Sequence, residues 1–305
     1  GGRPEAAHAA FARALELQET SFQTSSPAAL MGRRHCLALV PRWRSVPSRQ
    51  RRRNRFNMDA WRPRTSSRVY ALGDLFFDSR GVEHWVHGLD EGAFQQDVLL
   101  LAGNVCNTRN GLCRALSVLT QKFRRVFWVP GNHELRIHPS EVNRYPDSLA
   151  KLFDIFDMCD SLGVDVSPAH IAQDVFVVPL LSWYDATLHT EDPFPDPTAD
   201  LHCKWPMDAP TEVCAYMLAL NQEFVRETYR GTVVTFSHFF PRGDLPFLKD
   251  SEHLKSMGSA ALDQQIRSVG SRVHFCGRSA RAGVLALDGV SYATCCFGAA
   301  PATIV

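Results

Sequence analysis

The sequence predicts an α/β domain, on two observations: short apolar runs that end in polar or glycine residues, and segments of helical periodicity that alternate with them. The runs cover 69–72 before Gly73-Asp74, 98–102 before Gly103-Asn104, and 126–129 before Pro130-Gly131-Asn132-His133. Later runs cover 175–181, 232–236 before Ser237-His238, and 273–276 before Gly277. Each is rich in aliphatic and β-branched residues and bounded by turn formers, as buried strands are. Helical patterns occupy 112–123, 147–162 and 213–229; in the second, Leu149, Leu152, Phe153, Phe156 and Cys159 fall on one stripe. The polar residues therefore sit at the carboxyl ends of strands, where loops of such sheets converge on ligands. Residues 185–210, rich in Asp, His and Pro, read as a long surface loop that serves as a lid or spacer.

A chain of 305 residues, 45% of them hydrophobic, can bury a substantial core, and no run approaches the roughly 18 apolar residues of a membrane-spanning helix. The net charge of +1 hides an asymmetry, because residues 1–64 hold 13 of the 33 Lys/Arg but only 4 of the 32 Asp/Glu. A basic leader, 1–64, thus precedes an acidic body, 65–305. Phosphate backbones are held mainly by Lys and Arg, so no nucleic-acid partner is expected for the folded body. The leader is expected to lie outside the fold; its Arg-rich, acid-poor composition suits an organellar transit peptide, and equally a solvated tail or an untranslated-region artefact. Cytoplasmic and organellar locations both stay open, as does the oligomeric state. The nine cysteines include no C-x-x-C pair and are expected to be reduced and mostly buried, with Cys295 and Cys296 adjacent.

The segment Val129-Pro130-Gly131-Asn132-His133-Glu134 carries G-N-H-[DE] after a strand. Together with Gly73-Asp74, Gly103-Asn104, Ser237-His238 and Gly277 in the same order, it resembles the calcineurin-like metallophosphoesterases over about residues 68–300. Three further segments, 179–184, 203–206 and 237–242, are similar to a plant and algal subgroup. The resemblance implies a β-sandwich flanked by helices, in α/β/β/α layers, and metal-dependent phosphoester hydrolysis. It also implies divalent transition metals (Mn, Fe or Zn) at a binuclear centre and a phosphoester or phosphorylated small molecule as partner, with no membrane. Two such cations polarise phosphoryl oxygens and acidify a bridging water.

Matched to the family pattern D-x-H, G-D-x-x-[DN], G-N-H-[DE], a lone His and G-H-x-H, the chain keeps Asp74, Asn132, His133 and His238, with Asn107 at a permitted position. It departs at Phe76, Asn104, Arg278 and Ala280, which stand where His, Asp, His and His would. The resemblance therefore implies weak or vestigial metal positions at Asp74, Asn104, Asn132 and His238, and a catalytic place for His133. Arg278 and Asn107 are the expected substrate-binding residues. Losing the bridging carboxylate is severe, since two dications about 4 Å apart repel by several kcal/mol per charge product even at a dielectric near 20. The expectation is a catalytically impaired or inactive member that binds a phosphorylated ligand, with Arg278 directed to the former second metal position and a protonated His133 adding a donor. The alternative is an active phosphoesterase that uses one metal or compensating ligands such as His84 or Asp78. Asp78, His84, His87, His138, His189 and His202 are otherwise expected to be exposed. A serine hydrolase is excluded, because residues 277–281 lack the last glycine of a nucleophile elbow.

Overall fold

The computed structural model describes residues 67–185, 188, 200–208, 210–245, 254–279, 283–294 and 297. The leader, His189, Ala280, Cys295 and Cys296 lie outside the described residues, as does much of the 185–210 segment. Strands β1 (Val69–Leu72), β2 (Val98–Ala102) and β3 (Arg125–Val129) form a parallel three-stranded sheet in that order. A six-stranded sheet has the order β4-β5-β6-β7-β9-β8, from β4 (Ala169–Ala172), β5 (Val175–Pro179), β6 (Thr232–Ser237), β7 (Ser271–Cys276), β8 (Gly283–Leu287) and β9 (Val290–Thr294). Its central pairs are parallel, and the outer strands β4 and β8 run antiparallel to their neighbours.

Alternation along the strands builds the layers. Val98, Leu100, Ala102, Phe127 and Val129 of the first sheet face Val177, Val234, Phe236 and Phe275 of the second, a dry β-sandwich core. The intervening Leu99, Leu101, Val126 and Trp128 face outward, under α2 (Arg109–Lys122) and α4 (Ser148–Leu162), which follow α1 (Arg80–Gly88) and the four-residue α3 (Asn132–Leu135). The far face of the second sheet, with Val178, Val233 and Tyr292, is covered by Leu262 and Ile266 of a later helix, Ala261–Ser268. The expected α/β/β/α order is present.

Helix boundaries follow local chemistry. Thr108 caps α2 by accepting from Gly111 N at 3.1 Å, and Asp147 caps α4 by accepting from Ala150 N at 2.7 Å. Gly163 ends α4 at φ 73°, a left-handed turn that glycine adopts without strain. The single helix expected over 213–229 is instead two, α5 (Thr211–Leu220) and α6 (Gln222–Val225), so the last helix above is α7. At the junction Asn221 N bonds Leu218 O, one residue tighter than the α pattern, while its side chain bonds both backbone groups of Leu181 at 2.8–2.9 Å. A fully buried Asn committed to a strand end replaces the regular continuation. Among the described cysteines, Cys106, Cys159, Cys214 and Cys276 are buried and Cys113 and Cys203 half-buried, all as free thiols. No described helix is long and apolar enough to cross a membrane.

Candidate functional site

The parallel strands bring their carboxyl ends to one place. Gly277, after β7, approaches β2 so closely that a Cβ would lie 1.8 Å from Ala102 O, and the same Ala102 O accepts from His238 Nδ1 at 2.9 Å. The two sheets are thus joined at their polar ends through a contact that only glycine permits. Asp74, Phe76 and Asn104 have φ of 51°, 47° and 55°. Left-handed backbone is costly for non-glycine residues, most of all for a bulky aromatic, and such strain concentrates at functional sites. It is held by continued pairing of the two loops: Asp74 N to Gly103 O at 3.1 Å, Phe76 N to Asn104 O at 3.0 Å and Phe77 N to Val105 O at 2.7 Å.

Asn104 is the centre of the site. Its Oδ1 accepts from His133 N at 3.0 Å, which fixes the amide orientation and turns Nδ2 toward Asp74 Oδ1 at 2.8 Å and Asn132 Oδ1 at 3.1 Å. His238 Nε2 lies 3.3 Å from the same Asn132 Oδ1, and Asn132 Nδ2 donates to Asp200 Oδ1 at 2.9 Å. The side-chain oxygens of Asp74 and Asn132, the metal ligands that the motif resemblance implies, are therefore both hydrogen-bonded to one amide nitrogen, that of Asn104. The donor set does not fit a binuclear centre: Asn104 presents hydrogens inward, and no group of three or more His, Cys, Asp or Glu among the described residues could hold a metal ion.

Arg278 enters this space from the end of β7, its backbone N bonded to His238 O at 2.8 Å. The guanidinium lies 5.2 Å over the Phe239 ring, and one terminal nitrogen donates to Ser256 Oγ at 3.3 Å; Nε is enclosed without a hydrogen-bond partner among the described residues. Burial lowers its pKa, and the charges of Asp200 and Asp74 oppose that. Burial first, and then the same cation, depress His238, and Arg278 also contributes to the lowering at His133. Asp74 is pushed up to about 6, first by burial, with the Asn104 hydrogen bond and Arg278 pulling against it.

His133 is pushed down to about 4 by burial, then by the Arg136 and Arg278 charges. Burial and two nearby cations thus favour the neutral imidazole, which confines the donor that a protonated His133 would add to acid pH. Its ring packs edge-on against Phe76, centroids 5.0 Å apart, and Nδ1 lies 2.7 Å from Asn107 Oδ1. Asn107 Nδ2 in turn donates to Asp78. His84 is exposed on α1, away from the face that buries Val82 and Val86, and is not brought to the site; His87, His138 and His202 are exposed as well.

Several site residues escaped the sequence. Asp200 lies in the stretch read as a spacer, yet its side chain is buried against Asn132 and Arg136. Glu134 is fully buried, and its carboxylate accepts from Gly131 N, Asn104 N, Val105 N and Cys106 N, which clamps the loops after β2 and β3 together. Burial raises its pKa while these amides favour the ion. The three segments 179–184, 203–206 and 237–242 meet as one aromatic cluster, with Trp183 5.1 Å from Trp205 and 4.9 Å from Phe239.

Comparison with known proteins gives the family and the fold. A sequence model of the calcineurin-like phosphoesterases matches residues 67–261. The chain is 38% identical over 105 residues, 33% of its length, to the acyl-carrier-protein phosphodiesterase PptH of Mycobacterium tuberculosis (strain ATCC 25618 / H37Rv), and spans 31% of that relative's length. The crystal structure of the phosphopantetheinyl hydrolase PptH from Mycobacterium tuberculosis superposes with a TM-score of 0.64 at 22% identity, covering 76% of this chain and 90% of that one, and so shares the fold.

Proposed function

Since the chain belongs to the calcineurin-like phosphoesterase family, we propose that its strand-end site binds a phosphorylated ligand through the Arg278 cation and that two-metal hydrolysis is impaired. In the family's chemistry, paired metals supply a nucleophilic hydroxide and neutralise the phosphoryl oxygens. The observation that carries the proposal is the Asn104 amide, whose Nδ2 reaches both Asp74 and Asn132. It links directly the two side chains that a metal pair would otherwise draw together, and it supplies no negative charge to hold dications. Arg278 provides one fixed positive charge in their place, and a guanidinium can grip two phosphate oxygens at once. Asn107, expected to bind substrate, has its side chain committed to His133 and Asp78, and neutral His133 carries no charge to attract an anion, whereas Asp74, charged above about pH 6, opposes one.

The likeness to a protein named an acyl-carrier-protein phosphodiesterase makes phosphodiesters the first ester class to test. Hydrolysis by one metal, the second reading, would need compensating ligands; His84 is exposed, and Asp78 is engaged by Asn107. Calorimetric titration of inorganic phosphate into the full chain, with a chelator present, tests the proposal. Binding in the millimolar range is expected, weakening as salt rises. Arg278→Ala should lose roughly tenfold or more in affinity, since charge-assisted hydrogen bonds contribute about 1.5 to 3 kcal/mol each. Equal affinities, or no binding by either protein, would remove Arg278 from this role.

A further inference from the structure

Two backbone carbonyls from different loops share one buried ammonium. Lys151 of α4 is fully buried, and its Nζ donates to Asn107 O at 3.1 Å, Arg136 O at 2.7 Å and Glu141 Oε2 at 2.8 Å, which uses all three protons. Glu141 Oε1 accepts from Arg109 N at 2.7 Å, so the ion pair also fixes the start of α2. The two residues whose carbonyls Lys151 holds also meet again at one atom. Asn107 Oδ1 lies 2.7 Å from His133 Nδ1; Arg136 Nη1, which can only donate, stands 3.3 Å from the same nitrogen and would favour the other tautomer, and the shorter contact to Asn107 prevails.

Asp78 decides the proton on that nitrogen. Because Asn107 Nδ2 donates to the Asp78 carboxylate, Asn107 Oδ1 faces the imidazole and must accept, so His133 Nδ1 carries the hydrogen and Nε2 keeps the lone pair.

We propose that Lys151 is a positioning residue for His133: it holds the two loops at the spacing that lets Asn107 select the Nδ1–H tautomer, leaving Nε2 as an acceptor for the site. What Nε2 then accepts from rests on the function proposed above, whereas the tautomer itself does not and can be read without any ligand.

The test is nitrogen-15 NMR of the imidazoles in the ligand-free full chain at neutral pH, with His133 assigned by its loss in His133→Gln. The parent should show His133 as the Nδ1–H form alone. The double variant Lys151→Met with Glu141→Gln removes both charges at similar volume and leaves no buried ion without a partner, a change that buried pairs often tolerate. It should fold and show His133 as a mixture of both tautomers. A parent in the Nε2–H form, or a folded double variant still wholly Nδ1–H, overturns the proposal. A double variant that cannot fold overturns it too, since the pair would then serve the stability of the fold rather than the imidazole.

Discussion

A chain carrying Phe76→His, Asn104→Asp, Arg278→His and Ala280→His is expected to hold about two equivalents of transition metal and to hydrolyse a chromogenic phosphodiester roughly a hundredfold or more faster than the parent, because metal-activated water becomes available. The change at Asn104 does most. Its Nδ2 now satisfies Asp74 Oδ1 at 2.8 Å and Asn132 Oδ1 at 3.1 Å; a carboxylate there would turn an acceptor oxygen toward both, and only a cation or a proton could reconcile them. The bond from His133 N to Asn104 Oδ1 is kept by either residue, so the loop need not move. Arg278→His removes a positive charge that acts on Asp74, His133 and His238 and supplies an imidazole on the same strand end. Phe76 already has a left-handed backbone beside His133, so a histidine there inherits a strained position that the loop pairing supports. Ala280 is placed by the motif alone. Elemental analysis and a metal-dependent assay read the result, and a stably folded quadruple variant with no more metal than the parent would show that the strand ends are wrongly matched.

Glu134→Gln should cost the fold about 3 to 5 kcal/mol, since each buried amide left unpaired costs roughly 1 to 3 kcal/mol. One carboxylate oxygen accepts from Asn104 N and Gly131 N, and the other from Val105 N and Cys106 N. A glutamine must turn its NH2 toward one of these pairs, placing donors against donors in a site closed to water. The melting temperature is expected to fall by about 10 °C. Glu134→Asp, which the motif allows, keeps both oxygens on a shorter arm and should fall between parent and Gln. A Gln variant that melts with the parent would mean that the four amides are satisfied elsewhere.

The fold was legible because its strands are short apolar runs closed by glycine and polar residues, a pattern that follows directly from burial on both faces. Asp74, Asn104, Asn132, His133, His238 and Arg278 were legible as site candidates through the resemblance to the family's motifs, each of which lies within a few residues of a strand end. Asp200 follows none; it reaches Asn132 across 68 residues of chain, through a segment whose composition reads as loop. Lys151 does carry a signal in the sequence. It falls between Leu149 and Leu152 on the buried stripe of α4, where a lysine is expensive unless paired, and Glu141 lies ten residues away. Glu134 stands in the G-N-H-[DE] motif, but nothing in its spacing says that it accepts four backbone amides. The break at Asn221 was equally invisible, because the apolar periodicity continues across it while the tertiary bond to Leu181 decides the local geometry.

The most direct single measurement is the transition-metal content of the purified full chain, expressed with Mn, Fe and Zn supplied and dialysed without chelator. With Asn104 donating hydrogens where a bridging carboxylate would stand and Arg278 beside it, a content well below about one equivalent is expected. About two tightly held equivalents per chain would contradict the replacement of the metal pair by Arg278 and establish a working binuclear centre.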